Sequence, residues 1–405
     1  MRLLIITQYY LPESGAPQNR LSGLAVELIK QGHEVVVLTA MPNYPEMKIR
    51  DGYIGRWYMK EKVGPVEVYR AWIYTTLNRS IVSRLLNYFS FVFSSFITSF
   101  RIKGKFDYIM CESPPLFLGG TAVMVSKLKQ ARLIFNVSDL WPESAEKLGL
   151  VNNKILLKLS YRLEKWIYKH SKLVTGQTQG ICKNIQQRFP AVPVHWLPNG
   201  VDSGRFDSSI KSNWRNECGF SSEQFIVLYA GIIGHAQGLD IMLNAAKELQ
   251  SNTSIHFVLV GDGPEKKRLQ ELNLSMRLPN VKFIDQVDRN KMQLVLADVD
   301  AAVIPLKKLD IFKGAIPSKI FESLAMEVPI LLGVEGEAKE LFVDQGKCAL
   351  FFEPENAMDL AHKIRKLQED DALRKSLIEN GKTFVYANFS RESLAKKLLD
   401  RLKEL

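Results

Sequence analysis

Short apolar runs recur along the chain, and stretches with apolar residues at helical spacing separate most of them. RLLIIT (2–7) is the first; others cover 34–39, 66–71, 107–111, 132–137, 172–175 and 193–197. A second series covers 225–230, 255–260, 281–284, 300–304, 328–332 and 348–351. Alternation of this kind predicts parallel sheets with crossover helices. FIVLYAG, IHFVLVG and PILLG carry almost no polar residues, as strands covered on both faces should.

The series breaks at LPNGVDSGRFD (197–207), rich in Pro, Gly, Asp and Ser, which marks a domain boundary. The expected class is α/β: two Rossmann-like, doubly wound domains facing across a cleft. They span residues 1–200 and 201–384. A last helical stretch within 385–405 has no strand after it and is expected to pack back on the first domain. Ligands of such sheets bind outside the carboxyl ends of the strands.

The 405 residues suffice for two ordinary domains, and 46% apolar with 24% charged residues describes a globular chain. Four scattered cysteines form no metal or disulfide spacing, as for thiols in a reducing compartment. The first apolar run is too short for a signal peptide. Net charge is +11, and residues 79–132 hold much of it. Arg79, Arg84, Arg101, Lys103, Lys105, Lys127, Lys129 and Arg132 face only Asp107 and Glu112 there.

Within that segment lies LLNYFSFVFSSFITSF (85–100), with no charge. Helical spacing puts Leu85, Phe89, Val92, Phe96 and Phe100 on one face, and Ser83, Asn87, Ser90, Ser94 and Thr98 on another. The run is shorter than the about 20 apolar residues of a membrane span. Two readings stand: a core helix with its aromatic face inward, or an interfacial helix whose basic flanks meet anionic lipid. Phe-rich flanks speak against nucleic acid.

Three strand-end loops of the second domain suit phosphate and base. In AGIIGHAQGLD (230–240), Gly231 and Gly234 allow close backbone approach, a helix is expected from Gly238, and His235 and Gln237 add donors. In LVGDGPEKKRL (259–269), Gly261 and Gly263 flank Asp262. In KGAIPSKIFESLAMEVPIL (313–331), Pro317 opens a helix with Ser318 and Lys319 in its first turn and Glu322 over the same end. A lysine opposes the dipole there, and a bound diphosphate removes that conflict. The Glu322 carboxylate can accept both hydroxyls of a ribose. Plain turns and a solvated acid are the alternatives in each case.

PNGVD, YAG…G, VGDGP and SKIFESLAMEVPIL, in that order and spacing, resemble the GT-B glycosyltransferases, specifically the large retaining family four, over essentially the whole chain. QYYLPESGAPQNR (8–20) and SDLWPESAEKLG (138–149) look like its WbuB-like, N-acetyl-L-fucosaminyltransferase-like subgroup of O-antigen and capsule synthesis. The resemblance implies a UDP-sugar held by the C-terminal domain, with Glu322 on the ribose, Ser318 and Lys319 on the diphosphate and the backbone from Ile284 on the base. It implies no cofactor and no metal. Gly314 stands where the family's first glutamate belongs, and His235 and Gln237 stand near its usual basic pair.

With phosphates assigned to the second domain, the acidic N-terminal loop can serve the sugar. Gly15 lets the backbone approach the donor, while Glu13 meets a hydroxyl or, with Ser14, caps the next helix. Asp139 follows the strand RLIFNV and is the catalytic candidate with Lys319. Trp141 and Glu143 are acceptor or sugar contacts, or core and surface. Asp298 and Asp300 form a D-x-D without a third ligand nearby.

The implied chemistry is front-face transfer to a lipid-linked saccharide acceptor, with the departing phosphate taking the acceptor's proton and closure about 199–202 excluding water. The implied setting is cytoplasmic, peripheral on an anionic membrane surface, with no nucleic acid. An epimerase or hydrolase on the same fold, or a non-catalytic transferase-like partner, are the alternatives.

Overall fold

The computed structural model describes residues 1–405 except 14, 45, 78–80, 148, 150, 152, 203, 205, 289 and 290 and the side chains of 81 and 82. Ser14 and Arg79, named above, therefore lie outside the described residues. Two compact units emerge: Met1–Pro198 with Leu394–Leu405, and Asn199–Ser393.

Unit 1 holds an eight-stranded sheet of β1 (Arg2–Ile6), β2 (Glu34–Ala40), β3 (Tyr58–Val63), β4 (Val66–Ala71), β5 (Tyr108–Ser113), β6 (Arg132–Val137), β7 (Leu173–Gly176) and β8 (Val194–Trp196). Its order is β3-β4-β2-β1-β5-β6-β7-β8. Only β3, which the apolar pattern does not announce, runs antiparallel to its neighbour. It is an edge strand, and alternation of half-buried and exposed positions replaces a continuous apolar run. The helices are α1 (Ala16–Lys30), α2 (Ile81–Ser99), α3 (Leu118–Leu128), α4 (Glu143–Lys147), α5 (Lys154–His170) and α6 (Gln179–Arg188).

Unit 2 holds β9 (Phe225–Ala230), β10 (Ile255–Val260), β11 (Val281–Ile284), β12 (Ala301–Pro305), β13 (Ile330–Gly333) and β14 (Ala349–Phe351) in the order β11-β10-β9-β12-β13-β14, all parallel. Its helices are α7 (Trp214–Glu217), α8 (Asp240–Glu248), α9 (Lys266–Met276), α10 (Met292–Ala297), α11 (Lys319–Ala325), α12 (Glu337–Lys339), α13 (Ala357–Glu369) and α14 (Asp371–Phe389), and α15 (Arg391–Lys403) follows. The terminal stretch is thus two helices separated at Ser390. Leu394, Ala395, Leu398, Leu399 and Leu402 of α15 are buried with Leu3, Ile5, Leu21 and Leu28 in a core of unit 1.

α2 turns most of its polar face inward, against the core-helix reading, while Val92 and Phe96 of the expected apolar face pack on the core. Asn87, Ser94, Ser95, Thr98 and Ser99 are buried, while Leu86, Phe89, Phe93, Ile97 and Phe100 are exposed, Phe93 and Phe100 each by 62%. The buried polar side serves the irregular backbone after β4. Asn87 donates to the Tyr74 carbonyl at 2.6 Å, Ser90 accepts from the Tyr74 amide at 2.8 Å, and Ser94 donates to the Trp72 carbonyl. Backbone groups buried without partners are costly, and these hydroxyls and this amide satisfy them. Phe91 alone among the phenylalanines of α2 is fully buried.

Candidate functional site

In unit 2 the sheet order reverses between β10 and β12 around β9, which makes the carboxyl ends of these strands the expected ligand crevice. The loops after β9 and β10 are laminated there. Gly231 N donates to Val260 O at 2.9 Å, Ile233 N to Asp262 O at 2.9 Å and Glu265 N to Ile233 O at 3.0 Å. A Cβ at Gly261 would lie 2.0 Å from Gly231 O, and one at Gly263 would lie 2.4 Å from Ile233 O. The two glycines of VGDGP are therefore required by backbone meeting backbone, before any ligand is considered. Ile284 closes the stack, its carbonyl accepting from Gly261 N at 3.0 Å.

Lys319 opens α11, with Ser318 as its exposed N-cap. The Lys319 ammonium lies 3.9 Å from the Tyr229 ring centroid. It sits so close under the β9 loop that a Cβ at Gly231 would be 2.8 Å from it. Among the described residues it is in no salt bridge. Burial pushes its pKa down to about 7, with the Glu322 carboxylate a weaker, opposing influence. Lys319, Gly231 and Gly261 thus converge on one spot, and Glu322 stands half-buried one turn along α11.

Other expectations change. No helix begins at Gly238: a 3-10 turn spans His235–Gln237, Gly238 takes φ 58, and α8 starts at Asp240. The His235 imidazole is exposed and turned onto Glu265 at 2.9 Å. Gly234 has φ −124, ordinary extended backbone, and the Gln237 side chain folds against it. Lys266, which pattern reading passed over, joins the same loops by donating to Gly261 O at 3.0 Å and to Asp285 at 2.5 Å. Asp298 and Asp300 are occupied in holding Arg215: Asp298 accepts its amide at 3.0 Å, and Asp300 accepts its guanidinium at 2.8 Å and the Ile226 amide at 2.7 Å.

In unit 1, Glu13 is 2% exposed. One of its oxygens accepts from the Asn43 and Tyr44 amides at 2.7 and 2.8 Å. Burial raises its pKa, against the lowering effect of those amides. Its carboxylate clamps the loop after β2; it neither caps α1 nor reaches the surface. Arg70 fastens the loop after β1 through Leu11 O and the end of β2 through Ala40 O at 3.2 Å. Gly15 is extended (φ 173), and the Gln18 side chain lies against it.

Asp139 is exposed just past β6 and accepts from Ser144 at 2.9 Å. Glu143 is bound by Lys147 at 2.6 Å and by Asn184 at 3.2 Å. Burial raises its pKa, but these partners hold it below the usual value. Trp141 packs edge-on to Phe117 at 5.4 Å and borders the core. Beneath Asp139 lies a buried network that residue spacing did not reveal. Arg20 of α1 meets Glu112 of β5 at 2.5 Å and Ser138 at 2.7 Å; Asn136 of β6 donates to the other Glu112 oxygen at 2.5 Å and accepts from Thr175 of β7.

Two family profiles match the chain: Glycosyl transferase 4-like domain over residues 15–200, and Glycosyl transferases group 1 over residues 210–384. The putative colanic acid biosynthesis glycosyl transferase WcaI of Escherichia coli K12 is 27% identical over 380 residues, 90% of this chain and 92% of that protein. Sucrose-phosphate synthase from Thermosynechococcus elongatus has a similar structure, with a TM-score of 0.75 at 16% identity over 100% and 98% of the two chains. Anabaena HepE in complex with UDP-glucose gives a TM-score of 0.71 at 17% identity over 100% of both chains. At these identities the structural likenesses establish the fold, which is GT-B.

Proposed function

As the chain belongs to the group 1 glycosyltransferases, with a 4-like domain in its first half, we propose that it moves a sugar from a UDP-sugar to a lipid-diphosphate-linked saccharide in bacterial O-antigen or capsule synthesis. The transferred sugar is N-acetyl-L-fucosamine in this reading, and its configuration is retained without a metal ion. The observation that carries the donor assignment is the Lys319 ammonium, half-buried beneath Gly231 with no carboxylate bonded to it among the described residues. A cation held in this way gains most from a dianionic ligand.

Transfer through an oxocarbenium-like state makes charge build up on the departing UDP. Lys319, protonated in the complex, and the free N–H groups at the start of α11 oppose that charge. Glu322 takes the ribose hydroxyls. Departure on the face from which the acceptor enters lets the β-phosphate oxygen receive the acceptor's proton, so no enzymic nucleophile is required. In unit 1, Asp139 at the end of β6 is assigned to the acceptor hydroxyl, and the Arg20–Glu112 network fixes the strand end that carries it. Relatives named for colanic acid synthesis support a polysaccharide setting.

The same reading places unit 1 peripherally on the inner face of the plasma membrane. No described helix is long and apolar enough to cross a membrane, but the outward apolar face of α2, with exposed Arg84, Arg101, Lys103 and Lys105 at its two ends, suits an anionic interface.

The experiment is incubation of the purified protein with UDP-sugars, including UDP-N-acetyl-L-fucosamine, and a synthetic lipid-diphosphate-GlcNAc in EDTA, read by mass spectrometry. A gain of one deoxy-amino sugar that is lost in Glu322→Ala and Lys319→Met is the expected result. No gain from any UDP-sugar, alongside no UDP binding by calorimetry, would overturn the reading.

A further inference from the structure

A cavity of about 420 Å³ opens at the amino ends of β6 and β7, the edge of the sheet opposite Asp139 and Glu112. Lys127, Arg132, His170 and Lys172 line it, with Ser126 and Ser171 beneath. No acid lines it, and among the described residues none of the four basic side chains is in a salt bridge. Arg132 bonds a neutral group, the Tyr108 hydroxyl, at 3.2 Å, and His170 turns one ring nitrogen to Trp166 O at 2.8 Å. The serine hydroxyls donate back to their own helices, to Val123 O and Ile167 O, so the basic groups are the donors that face the space.

Helix dipoles account for two of the basic residues. Lys127 and His170 lie in the last turns of α3 and α5, where positive charge is favoured. They do not account for Arg132 and Lys172, which stand at the starts of β6 and β7. Lys127, Arg132 and Lys172 bring three like charges to one concavity, and a polyanion relieves their repulsion.

The surroundings indicate where the anion comes from. Met124 and Leu128 of α3 are exposed on either side of Lys127 in sequence, Leu128 by 56%. The Lys129 ammonium bonds Ile102 O at 2.7 Å, which ties the end of α3 to the basic turn that follows α2. The cavity therefore adjoins the exposed apolar residues of α3, whose end is joined to the turn after α2. We propose that it takes the phosphate-bearing headgroup of an anionic membrane lipid, whose chains meet those apolar residues. This rests on the membrane reading above and adds a stereospecific site to it, about 20 Å of strand away from the sugar-transfer end of the sheet.

The test is co-sedimentation of the full chain with phosphatidylcholine vesicles, with and without phosphatidylglycerol, at fixed ionic strength. The variants are Arg132→Gln/Lys172→Gln and, as a control of equal charge, Lys154→Gln/Lys158→Gln at the far end of α5 from His170. All must match the wild type in thermal unfolding. The expected result is a loss of about tenfold or more in affinity for the anionic vesicles in the cavity variant, against about twofold or less in the control. Equal losses in both variants would overturn the proposal, leaving general electrostatics. Unchanged vesicle binding by the cavity variant, together with Lys172-dependent binding of glycerol 3-phosphate in calorimetry, would overturn it in favour of a soluble phosphate ligand. Failure of the wild type to bind either vesicle would instead overturn the membrane reading itself.

Discussion

The Lys319 ammonium and the Tyr229 ring face each other at 3.9 Å under the first loop of unit 2. The lysine lies on a helix after β12 and the tyrosine on β9, the two strands that flank the reversal of sheet order. A positive charge is thereby held by an aromatic face and a desolvated pocket, with no carboxylate bonded to it among the described residues. Such a site is unfavourable when empty and favourable when a diphosphate arrives.

Lys319→Met should weaken UDP binding by tenfold or more, on the order of 1.5–3 kcal/mol for a charge-assisted contact. Lys319→Arg should restore little of it, because the planar fork does not fit the space beneath Gly231. Calorimetric titration with UDP checks both.

Donor binding should take up a proton. Burial holds Lys319 near pH 7 in the free protein, and a bound diphosphate returns the ammonium to its charged form. UDP affinity should therefore be flat below about pH 7 and fall at higher pH. For stability the sign is opposite. The folded-state pKa lies below the unfolded value of 10.5, so the unfolded chain binds more protons between pH 7 and 10.5, and this lysine's contribution to stability rises with pH through that window. Calorimetry in buffers of different ionisation enthalpy, and unfolding curves against pH, measure the two effects; Lys319→Met should abolish both.

Glu112→Gln or Arg20→Met should destabilise unit 1 by about 3–5 kcal/mol, because each leaves a buried charge without its partner. Replacing both by apolar residues together should cost far less. Denaturant unfolding of the two single variants and the double variant decides this.

The two faces of α2 should separate in experiment. Asn87→Ala should lower stability by about 1–3 kcal/mol through the unsatisfied Tyr74 carbonyl and Gln8 amide. Phe93→Ser should leave the unfolding midpoint almost unchanged and reduce vesicle binding. A large stability loss in Phe93→Ser would show that the exposed face is packed in solution.

Gly263→Ala should destabilise by about 2 kcal/mol or more, since its Cβ meets backbone at Ile233. Gly314→Glu should leave stability unchanged, as nothing lies within 4 Å of the added Cβ. It places a carboxylate eight positions before Glu322, so donor preference is the property to assay.

The strands were legible because those buried on both faces must be continuously apolar; β3, an edge, obeys a different rule and stayed hidden. Helix orientation was less legible. The pattern of α2 left two orientations open and put Val92 and Phe96 on the apolar face, although they pack on the core; what turns the polar side inward is the need of Trp72 and Tyr74 for backbone partners, which no local pattern shows. Lys319 stood out because a lysine in a first helical turn contradicts the dipole. Gly261 and Gly263 were visible as glycines, yet their cause, contact with the neighbouring loop, is a property of the sheet. Arg20 and Glu112 lie 92 residues apart, and no local pattern joins them. Glu13 announced itself as an acid in a loop, while its two amide partners lie thirty residues on.

The last turns of the polypeptide complete the first unit's core, with Leu394, Leu398 and Leu402 filling the side of the sheet that α1 leaves open. The two halves are therefore not interchangeable cassettes at the level of the gene. A fragment ending at Pro198 would leave an apolar trough over β1 and α1. A chimera that swaps the N-terminal half must carry its own final dozen residues with it, or be circularly permuted so that α15 precedes β1. Recombination between such enzymes is thus constrained at two places in the reading frame, one in the first half and the other at α15.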